Sequence, residues 1–96
     1  MNRTEHLLAC LAEECAEVIQ RATKAQRWGL GEIQPDQNRT NAERIVAELQ
    51  DLHAIMEMLD DEGVIQMGID RAAVETKKRK VEHFINYARE LGILKP

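Results

Sequence analysis

Apolar residues recur along this chain with the 3.6-residue period of a helix, in three blocks separated by turn-forming clusters. In the first block, residues 4–27, Leu8, Leu11, Cys15, Val18, Ile19 and Ala22 fall on one stripe of the helical wheel, with Leu7 and Ala25 at its edge. Thr4 is the predicted N-cap, and Gly29 and Gly31 end the block. In the second block, residues 41–61, Thr40 and Glu43 have the spacing of a capping box. Ile45, Leu49, Leu52, Met56 and Leu59 make its stripe, and Gly63 stops it. The third block, residues 70–91, opens on Asp70 as N-cap and closes at Gly92. Its stripe is Val74, Val81, Phe84, Ile85 and Ala88. Between the first two blocks, residues 29–39 form a loop carrying Gly29, Gly31, Pro35, Asp36 and Asn38. That loop is long for so short a chain, and long loops are often functional. Residues 62–69 carry only a weak signal, that of a turn or a short helical piece.

The expected architecture is therefore all-α, a single domain over residues 1–96. Two long antiparallel helices form a bundle with a third packing helix. A chain of 96 residues buries a limited core, so a four-helix core completed by oligomerisation is expected. Apolar residues make up 44% of the chain, enough for a globular fold, while aromatics at 3% point to a core of Leu, Ile, Ala and Met.

The net charge of −4 argues against stable nucleic-acid binding, which favours basic surfaces. It leaves open a small anionic ligand held through a metal. Cys10 and Cys15 lie five residues apart on one helix, about 140° apart around its axis, and should not pair with each other. They read as small thiols in a reducing compartment. No apolar run approaches about 20 residues, so neither a membrane span nor a signal peptide is expected, and a cytoplasmic location follows.

The candidate chemistry lies in two acidic pairs, Glu14-x-x-Glu17 in the first helix and Glu48-x-x-Asp51 in the second. Residues three apart on a helix share a face, so each pair can aim two carboxylates at one point. Both pairs lie at the rim of their apolar stripes, where packing removes water and a charge needs a partner. Side by side, the helices would gather four carboxylates, whose repulsion raises their pKa values unless a cation sits between them. Oxygen ligands suit a hard ion, Mg²⁺ before Ca²⁺ or Mn²⁺. The bland alternative for each pair is a solvated helix face.

Basic and aromatic residues add weaker signals. Lys77 falls within the third apolar stripe, either to snorkel or to reach an anionic site, and Lys80 flanks it. Lys78 and Arg79 point away. Arg21 and Lys24 share a flank with Glu14 and Glu17, as i,i+4 partners or as phosphate contacts, and for Arg21 the ion pair is the favoured reading. Trp28, the only tryptophan, sits in Arg27-Trp28-Gly29 as a loop anchor or a base-stacking surface, the anchor being favoured. His6, His53 and His83 have no evident partners.

With these motifs in view, the chain resembles the MazG-like all-α nucleoside triphosphate pyrophosphohydrolases. Leu11-Ala-Glu-Glu-Cys-Ala-Glu-Val-Ile19 is similar to the family's first motif helix, and Glu48-Leu-Gln-Asp-Leu52 to its second. The stretch from Arg27-Trp28-Gly29 to Thr40-Asn41 is similar to small, often phage-borne members, and Lys77 matches a lysine early in the third helix. The resemblance covers about residues 7–85, with a separation between the pairs, residues 18–47, at the long end for the family. It implies Mg²⁺-dependent cleavage of the α–β phosphoanhydride of a nucleoside triphosphate, giving monophosphate and pyrophosphate, with Mn²⁺ as a possible substitute. It implies Glu14, Glu17, Glu48 and Asp51 as metal ligands and a homodimer or homotetramer. A carboxylate not fully engaged by metal could take the water's proton, Glu14 or Glu17 being the expected base, with Glu13, which points away, in reserve. Lys77, with Lys80 or Lys24, would contact the departing pyrophosphate, Arg27 being a weaker choice. Two alternatives remain at this point: a non-catalytic helical dimer serving as an adaptor, and the same fold acting on dUTP, dUDP or phosphoribosyl-ATP.

Overall fold

Reciprocal capping starts the first two helices and a single side-chain cap starts the third. In the computed structural model, which describes residues 1–95, the elements are α1 (Arg3–Trp28), α2 (Asn41–Asp61) and α3 (Arg71–Glu90), and the described residues include no strand. The all-α expectation is met. Asn2, not Thr4, caps α1: its Oδ1 accepts the Glu5 N–H at 2.8 Å while the Glu5 carboxylate accepts the Asn2 N–H at 3.1 Å. Asn2 has a glutamate three residues on and Thr4 does not, so only Asn2 can close a capping box. Thr40 and Glu43 close the second box at 3.1 and 2.9 Å. Hydrogen bonds from the Thr40 backbone and then from its side chain hold the Glu43 carboxyl below the usual carboxylate range. Asp70 caps α3 by accepting the Ala73 N–H at 3.1 Å.

The helices α1 and α2 form an antiparallel hairpin. At its open end Arg3 Nε donates to Glu62 at 2.8 Å. Along the seam, Leu7, Leu11, Glu14, Val18, Arg21 and Ala25 recur on α1 in alternating steps of four and three. Asn41, Ile45, Glu48, Leu52, Ile55 and Leu59 recur on α2 in the same steps, and every one of the twelve is buried or half-buried. This is the spacing of knobs-into-holes packing between two helices. The expected centre of the α1 stripe is displaced: Leu7 and Ala25, placed at its edge, are buried, whereas Leu8 and Ile19 are 44% and 65% exposed. Cys15 and Ala22 are exposed too. The apolar band of α1 is wider than one neighbouring helix can cover, and α2 takes only one side of it. Val46 and Leu49 are left exposed on α2 in the same way.

The third helix makes no contact with α1 or α2. Its stripe residues Val81 and Phe84 are exposed, as are Tyr87 and Leu91. The radius of gyration, 17.0 Å, reflects this separation; a compact chain of this length has about 12–13 Å. Within one chain the bundle is the α1–α2 hairpin, and the packing expected of α3 is not made there.

At the loop end of the hairpin a buried polar residue does the joining. Asn41, 2% exposed, donates from Nδ2 to the Gly29 carbonyl at 2.8 Å and to Glu32 Oε1 at 3.1 Å. Its own N–H bonds the Glu32 carbonyl at 2.9 Å, and the next N–H, of Ala42, bonds the Leu30 carbonyl at 3.0 Å. Arg44 Nη1 adds a 2.9 Å bond to Gln34. Asn41→Ala removes both side-chain hydrogen bonds of a part-buried corner, and is expected to cost about 1–2 kcal/mol in urea unfolding. A loss under about 0.5 kcal/mol, the scale of an ordinary surface change, would show that the corner is held by its backbone bonds alone.

Candidate functional site

The seam carries charge at its middle. Glu14 on α1 and Glu48 on α2 occupy seam positions, not the rim expected for them, and Asp51 follows Glu48 by one turn. One carboxylate oxygen from each of Glu14, Glu48 and Asp51 lies within 4.8 Å of the others. Glu14 and Glu48 are half-buried and Asp51 is exposed, so the cluster opens to solvent on one side. Glu17, the fourth carboxylate expected, is half-buried but stands outside this group of three. Among the described residues no cationic side chain pairs with any of the four. Desolvation, followed by the negative charges of Asp51, Glu48, Glu13 and Glu17, raises the Glu14 carboxyl above the ordinary carboxylate value.

This donor set fits a hard divalent cation. It offers oxygen ligands only, from three side chains on two rigid helices, close enough to share one ion. Mg²⁺ typically takes one or two carboxylates, keeps several waters and completes its shell with phosphate. An open side at Asp51 leaves room for both.

Beyond the carboxylates, α1 continues with basic residues. Arg21 lies one turn past Glu17 on the seam side, and its Nε and Nη1 are buried without a hydrogen-bond partner. The i,i+4 ion pair favoured for it is not formed. Its seam position is visible in the sequence, seven residues after Glu14 in the four-three pattern. It is missed when the stripe is centred on Leu8, Cys15 and Ile19. Lys24 and Trp28 come together beside the loop, lining a shallow hollow with Glu32, Gln34 and Pro35. Trp28 is 52% exposed, so it is not a buried anchor, and the Arg27 guanidinium stacks over its ring at 5.0 Å. Fourteen residues separate Trp28 from Glu14, about 21 Å along a helix. One nucleotide could not have its reacting phosphates on the carboxylates and its base on this indole within a single chain.

Lys77 and Lys80 are elsewhere. They edge an apolar trough on α3 floored by Val81, Phe84, Ile85 and Leu94, and α3 touches neither helix of the carboxylate seam. The fold therefore brings together Glu14, Glu48 and Asp51, places Glu17, Arg21 and Lys24 in line beyond them, and does not bring Lys77 or Lys80 to them by helix packing within one chain. No helix among the described residues is long and apolar enough to cross a membrane. The chain matches no family model, no curated protein and no solved structure.

Proposed function

We propose that this chain is a Mg²⁺-dependent nucleoside triphosphate pyrophosphohydrolase, cleaving the α–β phosphoanhydride to give monophosphate and pyrophosphate. The observation that carries the reading is the convergence of Glu14, Glu48 and Asp51 oxygens within 4.8 Å, with no cationic side chain paired to them. The resemblance of both acidic motifs to MazG-like enzymes adds the reaction class.

In this reading Glu14, Glu48 and Asp51 hold the ion, with Mn²⁺ as an accepted substitute. Bound there, the ion supplies a Lewis acid for a phosphoryl oxygen and a charge that orients the attacking water. Glu17 stands beside the cluster but outside it, which suits a base that takes the water's proton. Lys24 lies further along α1, on the side where a departing pyrophosphate would be met by positive charge. The exposed apolar faces of α1, α2 and α3 support a homodimer or homotetramer, and through it Lys77 and Lys80 would reach the carboxylates of another copy. Half-buried Cys10 and exposed Cys15, both free thiols, suit the reducing cytoplasm.

The test is pyrophosphate release from a panel of nucleoside triphosphates, including dUTP and phosphoribosyl-ATP, with Mg²⁺ and with chelator. Metal-dependent release with monophosphate as co-product is expected. The same exposed apolar faces favour a second reading, a helical adaptor with no chemistry. That reading gives no release and no metal-linked rise in Tm, whereas an ion at about 100 times its Kd stabilises the native state by about 2.7 kcal/mol.

A further inference from the structure

One long side of the α1–α2 hairpin lies exposed and, along α1, uncharged. Glu14 and Glu48 meet in the seam, and each is followed by an uncharged, exposed residue, Cys15 on α1 and Leu49 on α2. One residue turns a helix by about 100°. Because α1 and α2 run antiparallel, those two turns bring Cys15 and Leu49 out on the same side of the hairpin and at the same level. Along α1, Leu8, Ala12, Cys15, Ile19 and Ala22 fall within an arc of about 80°. All five are exposed, and no charged side chain of α1 falls in that arc. A solvated helix face is ordinarily charged or polar, and this one is neither over about four turns.

The face is complementary to itself about Cys15. Leu8 and Ala22 lie seven residues to either side of it. Turned end for end, α1 sets Leu8 against Ala22 of the partner subunit and Ile19 against Ala12 of the partner subunit, large opposite small as interdigitating helices require. Glu5 and Arg27 flank opposite ends of the arc on one edge, so the same pairing puts opposite charges together at each end. A two-fold contact needs such a patch, one that fits its own copy. The apolar trough of α3 fits it less well, since Lys77 and Lys80 edge that trough and the arc offers them no carboxylate. We propose that this face binds a second copy of the chain, α1 antiparallel to α1, with both Cys15 residues at the two-fold axis and Leu49 of α2 beside them. Two hairpins joined in this way make the four-helix core that a single chain lacks. The carboxylate cluster stays open, because Asp51 points about 160° away from Leu49 on α2. The interface does not depend on the proposed chemistry, and its test reads assembly alone.

The test combines thiol cross-linking with sedimentation of the full chain. A short bis-maleimide, which bridges two thiols without an oxidant, should turn wild type and Cys10→Ser into covalent dimers on a denaturing gel and leave Cys15→Ser monomeric. Leu8→Cys and Ala22→Cys, placed separately in the Cys10→Ser/Cys15→Ser protein, should cross-link when mixed and not alone, which reads the antiparallel register. In sedimentation, Ile19→Glu should weaken self-association at least about 100-fold, because the contact would bury two unpaired carboxylates. Ile19 is 65% exposed in the single chain, so the helical circular dichroism should not change. Phe84→Glu, on α3, should associate like wild type. Wild type that sediments as a monomer would overturn the interface, as would cross-linking of Leu8→Cys with itself or a dimer that survives Ile19→Glu. A dimer lost in Phe84→Glu and kept in Ile19→Glu would overturn it in favour of a contact through α3.

Discussion

Glu48→Gln should abolish metal-dependent pyrophosphate release while leaving the helical circular dichroism spectrum intact. Glu48 is half-buried in the seam and shares the 4.8 Å cluster with Glu14 and Asp51. The amide has the shape of the carboxylate, so the α1–α2 packing is kept. In the proposed metal site, what goes is one negative ligand of three, and with it the affinity for a divalent cation. Loss of a side chain that only hydrogen-bonds a metal ligand costs about 10- to 100-fold. Loss of a direct ligand should cost at least about 100-fold. Two controls make the result specific. Glu57→Gln, on the same helix but paired with His53 at 3.0 Å outside the cluster, should keep full activity. Glu17→Gln should lose turnover yet keep Mg²⁺ binding, because Glu17 is not one of the three converging carboxylates. Full activity in Glu48→Gln would sink the metal-site assignment. Equal loss of Mg²⁺ affinity in Glu17→Gln would move Glu17 from base to ligand.

Periodicity and capping chemistry, both local, were enough to place the elements. The second capping box and the Asp70 cap lie where the sequence puts them, and α2 ends at Asp61 as expected. Which side of a helix faces its neighbour is not local. The apolar band of α1 holds two overlapping four-three series, one through Leu7, Leu11, Val18 and Ala25 and one through Leu8, Cys15, Ile19 and Ala22. A wheel averages them into one stripe. The structure gives the first series to α2 and leaves the second exposed. That choice moves Glu14 from rim to seam, encloses Arg21, and sets Glu17 to one side of the cluster. Glu48 and Asp51 were legible as a pair because their i,i+3 spacing forces a shared face, whereas the same spacing on α1 brought only Glu14, not Glu17, to them. The orphaned state of Arg21 was not, since an i,i+4 glutamate upstream is the commoner reason for an arginine there. Asn41 reads in sequence as a polar first-turn residue. Only the return of the loop onto it shows that it is enclosed.

The pH dependence of stability should reverse when metal is added, and Glu14→Gln should remove the reversal. The Glu14 carboxyl is raised above its ordinary value of 4.5 by desolvation first and by its acidic neighbours next. A raised folded-state pKa means that the native state holds the proton more tightly than the unfolded chain. The corresponding stability is fully present below 4.5 and is lost as pH rises through the folded value. In chelator, therefore, Tm should fall as pH climbs from that region towards neutrality. Glu43 acts with the opposite sign. Its pKa is lowered from 4.5 by the Thr40 capping bonds, so its contribution is present above 4.5 and lost as pH drops through the folded value. The two effects occupy different sides of 4.5 and can be read separately. Glu14→Gln keeps the side chain neutral at every pH. It should raise the metal-free Tm at neutral pH and flatten the slope above 4.5, leaving the acid limb due to Glu43 untouched. With saturating Mg²⁺ the order should invert, because an ion bound at the proposed site would stabilise the native state by mass action, and wild type should then melt above Glu14→Gln. Melts of both proteins from about pH 4 to 8, with chelator and with Mg²⁺, decide the matter. Parallel curves for the two proteins in chelator would mean that Glu14 carries no strain from its neighbours. An unchanged order with Mg²⁺ would mean that the cluster binds no ion.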